Sequence, residues 1–241
     1  MDEHRGIGIA VPGPWHDRSE LVRAIAASNE AKALFAGLIL MDVERKRHVE
    51  LQVYDRDDDL VRAMTKGSAN AFDEATLAAI GDHVILPVLR FEAGGDDLAE
   101  RLAFFTTAMR KAGGLGVMIE ASGVAHPWER WEPLLAKGDP HSLYQALIVQ
   151  VKGAGELTSF GMRQFDLPDA LVPANDLEAA WTLADFDIYR WVENPQLKSG
   201  HTFSRKADAP RYRLQLVEDA RYAKGHHYLN PHGVWHLTRA G

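Results

Sequence analysis

Leu157-Thr158-Ser159-Phe160-Gly161-Met162-Arg163-Gln164-Phe165-Asp166-Leu167-Pro168-Asp169 is a strand-like run that ends in a proline turn, and the most periodic helix of the chain follows it. The β-branched and aromatic residues of Leu157 to Phe165 read as a strand. Leu167-Pro168-Asp169 reads as a turn, because proline presets φ and aspartate bonds its own backbone. Asn175 with Glu178 has capping-box spacing, and Leu177, Trp181, Ala184, Ile188 and Val192 recur at helical intervals. Glu178, Thr182, Asp185 and Glu193 fall opposite, so Trp181 and Val192 are expected to face the core. Asn194-Pro195 stops the helix. Strand, turn and amphipathic helix in this order predict a sheet with a helix laid on it.

Working outward, Tyr144 to Lys152 reads as a strand that pairs with this one through Gly153-Ala154-Gly155. Downstream, Arg211 to Val217 and Gly233 to Thr238 read as two more strands. Towards the N-terminus, Arg5 to Val11 reads as a short buried strand, and Asp17 with Glu20 opens a helix. Leu34 to Val43 and His48 to Tyr54 are strands around the charged turn Glu44 to Arg47; the second alternates cleanly, so one face meets water. Short helices at Leu60 to Met64 and Glu74 to Ile80 precede a strand at Val84 to Phe91, which Pro87 pushes towards an edge or bulge. Asp97 with Glu100 starts a helix that Gly113-Gly114 ends, and Leu115 to Ala121 is the next strand. The fold class is α+β. The order β-α-β-β-α-β-α-β contains the ferredoxin-like β-α-β-β-α-β plan, with a mostly antiparallel or mixed sheet and helices on one face. Two α+β halves, 1–123 and 124–241, meet at a soft boundary near Gly123.

The 241 residues are 46% hydrophobic and 25% charged, the balance of a globular protein with a sizeable core. No apolar run approaches the roughly 20 residues that span a bilayer, so no membrane role is expected and the localisation is read as cytoplasmic. No cysteine is present, which excludes disulfides, thiol catalysis and cysteine-held metal. A net charge of −7 with scattered basic residues argues against nucleic acid. Asp55-Arg56-Asp57-Asp58-Asp59 reads as a solvated loop whose last aspartate caps a helix, or as a surface for a basic partner.

Several groups carry chemistry. Ser122, His126 and Glu120 are the catalytic candidates, since a histidine beside a small-residue turn past a strand can act as a base. They lack a nucleophile elbow, and the favoured reading is that His126 and Trp128 pack and orient the crossover. Trp128 and Trp131 flank Glu129-Arg130 and read as a recognition surface or as the lid of a small core. His226, His227, His232 and His236 are the metal candidates, but they lack helical ligand spacing. Gly113-Gly114-Leu115-Gly116 precedes a strand and opens no helix, so it is no phosphate cradle, and no cofactor is expected.

From Gly114 to Thr202 the chain resembles the family known as domain of unknown function 4261. Gly116-Val117, Ala121-Ser122-Gly123, His126-Pro127, Thr158 to Met162, Phe165 with Pro168, and Leu197 to Thr202 carry the likeness in that order. Asp166 and Asp169 depart from that family's usual Gly and Glu. The resemblance implies a bacterial α+β protein with no assigned reaction, of the kind that serves as a partner-binding, immunity-like or regulatory module.

Two functions are therefore carried forward. One is a protein-binding module with a protein partner, with a homodimer also compatible with the half-exposed strands. The other is a small-molecule binder or hydrolase with a pocket near Ser122, His126, Arg163 and His201, in which Arg163 pairs an anionic ligand and Gln164 and His201 are further binding candidates.

Overall fold

The computed structural model describes residues 6–29, 32–153, 155–174, 178–226 and 228–240. The chain divides into two units, Met1–Gly138 and Asp139–Gly241, each with its own sheet. The first contains β1 (Ile7–Ala10), α1 (Arg18–Ser28), β2 (Ala33–Ala36), β3 (Ile39–Asp42), β4 (Arg47–Asp55), α2 (Leu60–Gly67), α3 (Glu74–Gly81), β5 (Ile85–Phe91), α4 (Leu98–Lys111), β6 (Val117–Ile119), β7 (Ala125–His126) and α5 (Trp128–Lys137). The expected boundary at Gly123 moves to Gly138. The reason is pairing: Val117 and Met118 of β6 face His126 and Ala125 of β7, so the chain after Gly123 completes the first sheet.

That sheet runs β2-β3-β4-β5-β1-β6-β7 with every neighbour antiparallel. β1 and β4 both oppose β5, so they run the same way with β5 inserted between them, as in a split β-α-β unit. The wider sheet has its own plan, since α2 and α3 separate β4 from β5 and a β2–β3 hairpin extends one edge. Pro87 does not mark an edge. It sits in β5 at the sheet centre, and its missing N–H faces Val11, just past the end of β1, where no ladder bond is required.

Helices cover both faces at the sheet centre, which corrects the expectation of one covered face. Ala10, Leu86 and Val88 pack with Leu60, Met64, Phe72 and Ile80 beneath α2 and α3. On the other face Phe91, in register with Ile7, meets Phe105 of α4 at 6.1 Å. Towards β2 only the second face stays covered. β2 and β3 alternate buried and exposed, with Ala33, Phe35, Leu40 and Asp42 inside and Leu34, Ala36, Ile39 and Met41 outside.

The second unit contains α6 (Pro140–Leu147), β8 (Val149–Gly153), β9 (Glu156–Phe160), a 3-10 turn (Met162–Phe165), β10 (Asp169–Pro173), α7 (Ala179–Glu193), β11 (Thr202–Phe203), β12 (Tyr212–Val217) and β13 (Val234–Arg239). Its order is β11-β12-β13-β10-β9-β8, with β10 and β13 parallel and the other pairs antiparallel. Helix replaces the start of the expected strand at Tyr144, because Asp139 accepts from Ser142 N at 3.0 Å and Pro140 sits in the first turn. The expected strand through Phe165 stops at Phe160: Gly161 takes φ +115° and the chain tightens into the 3-10 turn.

The phase of α7 also differs from the periodic reading. Ala179, Leu183 and Phe186 join Ala170, Val172, Tyr212, Leu214, Trp235 and Leu237 in the core. Trp181 and Val192 are 53% and 52% exposed, while Thr182, Asp187 and Arg190 are buried. Ala184 and Ile188 of the expected stripe are buried, but a buried acid and base that satisfy one another share the inward face, and the stripe's Trp181 and Val192 lie outside it. The expected cap at Asn175, and Leu177, lie outside the described residues.

Candidate functional site

The serine, histidine and acid of the first unit do not converge. β-sheet alternation separates them: Ile9 and Ile119 are partners, so Val117 and its partner His126 share their face. Glu120 lies on the opposite face, where its carboxylate binds Arg90, the partner of Gly8. His126 is 1% exposed, with its ring 5.8 Å from that of Trp131. Ser122 is buried and its hydroxyl accepts from Val124 N at 3.3 Å. The Ser122-Gly123 turn also receives the end of α2, where a Cβ at Gly67 would collide with the Gly123 carbonyl. The turn is small because a helix rests on it.

Trp128 and Trp131 form core, not a recognition surface. Trp131 is fully buried and donates its indole N–H to Thr106 Oγ1 at 2.9 Å; Trp128 donates to Gly114 O at 2.7 Å. Buried indoles with satisfied N–H groups anchor packing. The acidic run is largely self-satisfied: Asp58 pairs with Arg56 at 2.7 Å, and Asp59 with Arg62 at 2.8 Å. Asp59 makes no side-chain cap; Asp57 Oδ1 instead accepts from Asp59 N.

Where α2 and α3 leave it uncovered, their face of the first sheet carries two adjoining regions. Arg90 holds Glu120 through both terminal nitrogens, donates to Tyr54 Oη at 3.1 Å, and reaches Gln52 Oε1 at 3.3 Å. Gly8 lies beneath this network, and a Cβ there would meet both Glu120 and Arg90. Beyond Glu50, towards the edge, polarity ends. The register Leu34↔Met41 and Ile39↔Glu50 puts Leu34, Met41 and Ile39 on this open face.

In the second unit the binding candidates separate. Arg163 lies half-buried in the 3-10 turn, and its side chain makes no hydrogen bond or ion pair among the described residues. Gln164 is 3% exposed and donates to Leu147 O at 3.2 Å, so it faces the interior and not a ligand at the surface. His201 is exposed and its Nδ1 accepts from Lys198 N at 3.4 Å, closing a turn. Ser122 and His126 belong to the first unit and Arg163 and His201 to the second, so neither unit holds that pocket by itself.

The C-terminal histidines have separate neighbours. His226 stacks on Tyr222 at 4.5 Å, His232 faces Asp166 at 3.7 Å, and His236 sits in β13 opposite Leu171 and Gln215. His227 lies outside the described residues. Among the described residues, no three of His, Asp and Glu gather closely enough to hold a metal ion.

Two ionic clusters were not foreseen. Asp187 is fully buried, binds Arg190, and accepts from Tyr144 Oη at 3.0 Å; Arg190 also donates to Pro168 O at 2.7 Å. Burial raises the Asp187 carboxyl above its ordinary pKa, against the pull of Arg190 and the hydroxyls of Ser159 and Tyr144. The other cluster joins Asp169, Asp219, Arg221 and Asn230. Its only sequence signal was polarity in a long connection. No family model, curated protein or solved structure matches the chain.

Proposed function

We propose that this protein is a protein-binding module, in an immunity-like or regulatory role, that engages its partner through the β2–β3 hairpin. The supporting observation is exposure: Leu34, Ile39 and Met41 share one open face at 51%, 43% and 39%, with Leu38 and Val43 beside them at 53% and 43%. β2 is also an edge strand, and Ala33-Leu34-Phe35-Ala36 contains neither proline nor charge. Such an edge presents unpaired backbone groups to another chain. The fitting occupant is an extended segment of a different protein. Its backbone pairs with β2, and its alternate apolar side chains lie on Leu34, Ile39 and Met41. Lys46, at the neighbouring β3–β4 turn, has no ion-pair partner among the described residues and favours an acidic residue beside that segment.

The test is a paired substitution, Leu34→Asp with Met41→Asp, in the full chain. Both side chains are solvent-exposed, but the two aspartates stand opposite one another in the strand pair, so a loss of about 1–2 kcal/mol is expected and retention of the fold is checked by circular dichroism. Wild type should recover a stoichiometric partner from the source cell, and the double variant should lose it. Light scattering distinguishes a second copy, since a homodimer would double the mass without any foreign chain. Equal capture by wild type and variant would overturn the proposal.

A further inference from the structure

The connection from β12 to β13 has no helix or strand among its described residues, yet side chains fasten it down. Asp219 accepts from Arg221 Nε at 2.8 Å, from Arg221 Nη2 at 3.0 Å and from Asn230 N at 3.1 Å. Asn230 Nδ2 donates to Leu167 O at 3.0 Å, and His232 N donates to Asn230 Oδ1 at 2.9 Å. The Arg221 guanidinium lies 5.2 Å from the Phe160 ring centre and 5.7 Å from that of Tyr222. Tyr228 stands 5.6 Å from Phe160. A cation between rings, held by a buried acid, fixes the connection to the end of β9.

Beneath it lies Asp169, the first residue of β10, only 2% exposed. Its Oδ1 accepts from Met162 N at 3.1 Å, and Asn230 bonds its carboxyl from the connection. Arg221 Nη2 stops 3.9 Å away, its hydrogen bonds taken by Asp219. From α7, Asp187 repels it while occupied by Arg190; near the 3-10 turn, Asp166 and His232 face one another. Asp169 is therefore a carboxyl covered by the connection, and its nearest counter-charge, Arg221 at 3.9 Å, is held by Asp219.

We infer that the β12–β13 connection is a proton-operated clasp, docked over β10 while Asp169 is protonated and released as that carboxyl ionises. Burial, reinforced by Asp187, raises Asp169 to about 7 against the hydrogen bonds of Asn230 and Met162 and the charge of Arg221. Released, the carboxyl is hydrated and titrates near its ordinary 3.8. The docked form thus holds the proton more tightly. Its advantage is complete below the ordinary value, is lost as pH rises to about 7, and is constant above that. Release bares Phe160 and the Asp169 carboxylate, both buried while the connection is docked.

Hydrogen exchange of the full chain between pH 5 and 8, corrected for intrinsic rates, reads the clasp directly. The opening constant of amides in Asp219–Tyr222 and around Asn230 should rise about tenfold per pH unit up to about pH 7 and then level off. Amides of β4 should keep a constant opening equilibrium. Asp169→Asn should hold the clasp shut across the range. A flat wild-type profile, or the same slope in Asp169→Asn, would overturn the inference. Should that variant fail to fold, carboxyl-carbon NMR of wild-type Asp169 decides: a midpoint raised well above the ordinary 3.8 supports the clasp, and a midpoint at about 4 or below refutes it.

Discussion

Arg190→Met isolates the energetics of the buried pair in α7. In the native protein, Asp187 has three stabilising partners: the Arg190 guanidinium, the Tyr144 hydroxyl at 3.0 Å and the Ser159 hydroxyl. Methionine replaces much of the aliphatic stem but removes the cation bonded to a fully buried carboxylate. Breaking a buried pair from one side costs about 3–5 kcal/mol, because the stranded charge stays desolvated. Loss of the donor to Pro168 O, at 2.7 Å, adds about 1 kcal/mol. A destabilisation of about 4–6 kcal/mol at pH 8 is therefore expected for the second unit. It should shrink on acidification, since protonation neutralises Asp187, whose pKa is already raised by burial. Urea unfolding at pH 8 and pH 5, followed by tryptophan fluorescence and circular dichroism, measures both values, with each unit allowed its own transition. Adding Asp187→Asn to Arg190→Met should recover at least about 2 kcal/mol, because the uncompensated charge is gone. A loss under about 1 kcal/mol at pH 8, or the same loss at both pH values, would refute the assignment.

Three further outcomes follow from local geometry. Gly67→Ala should cost about 2 kcal/mol in thermal or urea unfolding, since the new methyl meets a backbone carbonyl that cannot swing away. Trp131→Ala should cost about 3–5 kcal/mol and Trp131→Phe about 1 kcal/mol beyond its lost area, as a core indole bonded to Thr106 requires; near-neutral values would return it to the surface. Asp139→Ala should weaken the second unit by about 1 kcal/mol at neutral pH through loss of the α6 cap. Hydrogen bonds from Ser142 hold Asp139 below its ordinary pKa, so wild type and variant should converge as pH falls through the acid range; a constant gap would argue against the cap.

Particular residues explain what could be read early. The cap at Asp17 appears as expected, with Oδ1 accepting from Glu20 N at 2.8 Å, because capping involves neighbours only a few residues apart. Gly113 takes φ +105° after α4 for the same local reason. Asp97 shows the limit of such rules: its spacing to Glu100 suggested a cap, but Arg47 at 3.2 Å and Arg101 at 2.9 Å claim its carboxylate instead. Arg47 comes from β4, and no local pattern announces it.

The candidate sites depended still more on distant partners. Glu120 and His126 are close in the chain, but the pairing of β6 with β1 and β7 sends them to opposite faces. Asp169 looked like a turn residue until β13 came alongside in parallel and the connection before it covered the carboxyl.

By itself, the sequence determined the α+β class, the strand alternation and the helix stops, because these follow from periodicity and steric rules over a few residues. The inward faces of α4 and β4 follow from periodicity too, with Leu98, Leu102, Phe105 and Met109, and Val49 and Leu51, buried; tertiary structure alone decided the faces of α7 and of the β2–β3 hairpin. Trp181 looks outward and Asp187 inward because Arg190 and Tyr144 compensate the acid, and compensation between side chains has no hydropathy signal. The same holds for Leu34, Ile39 and Met41, which alternate like core residues but lie on a sheet face left uncovered.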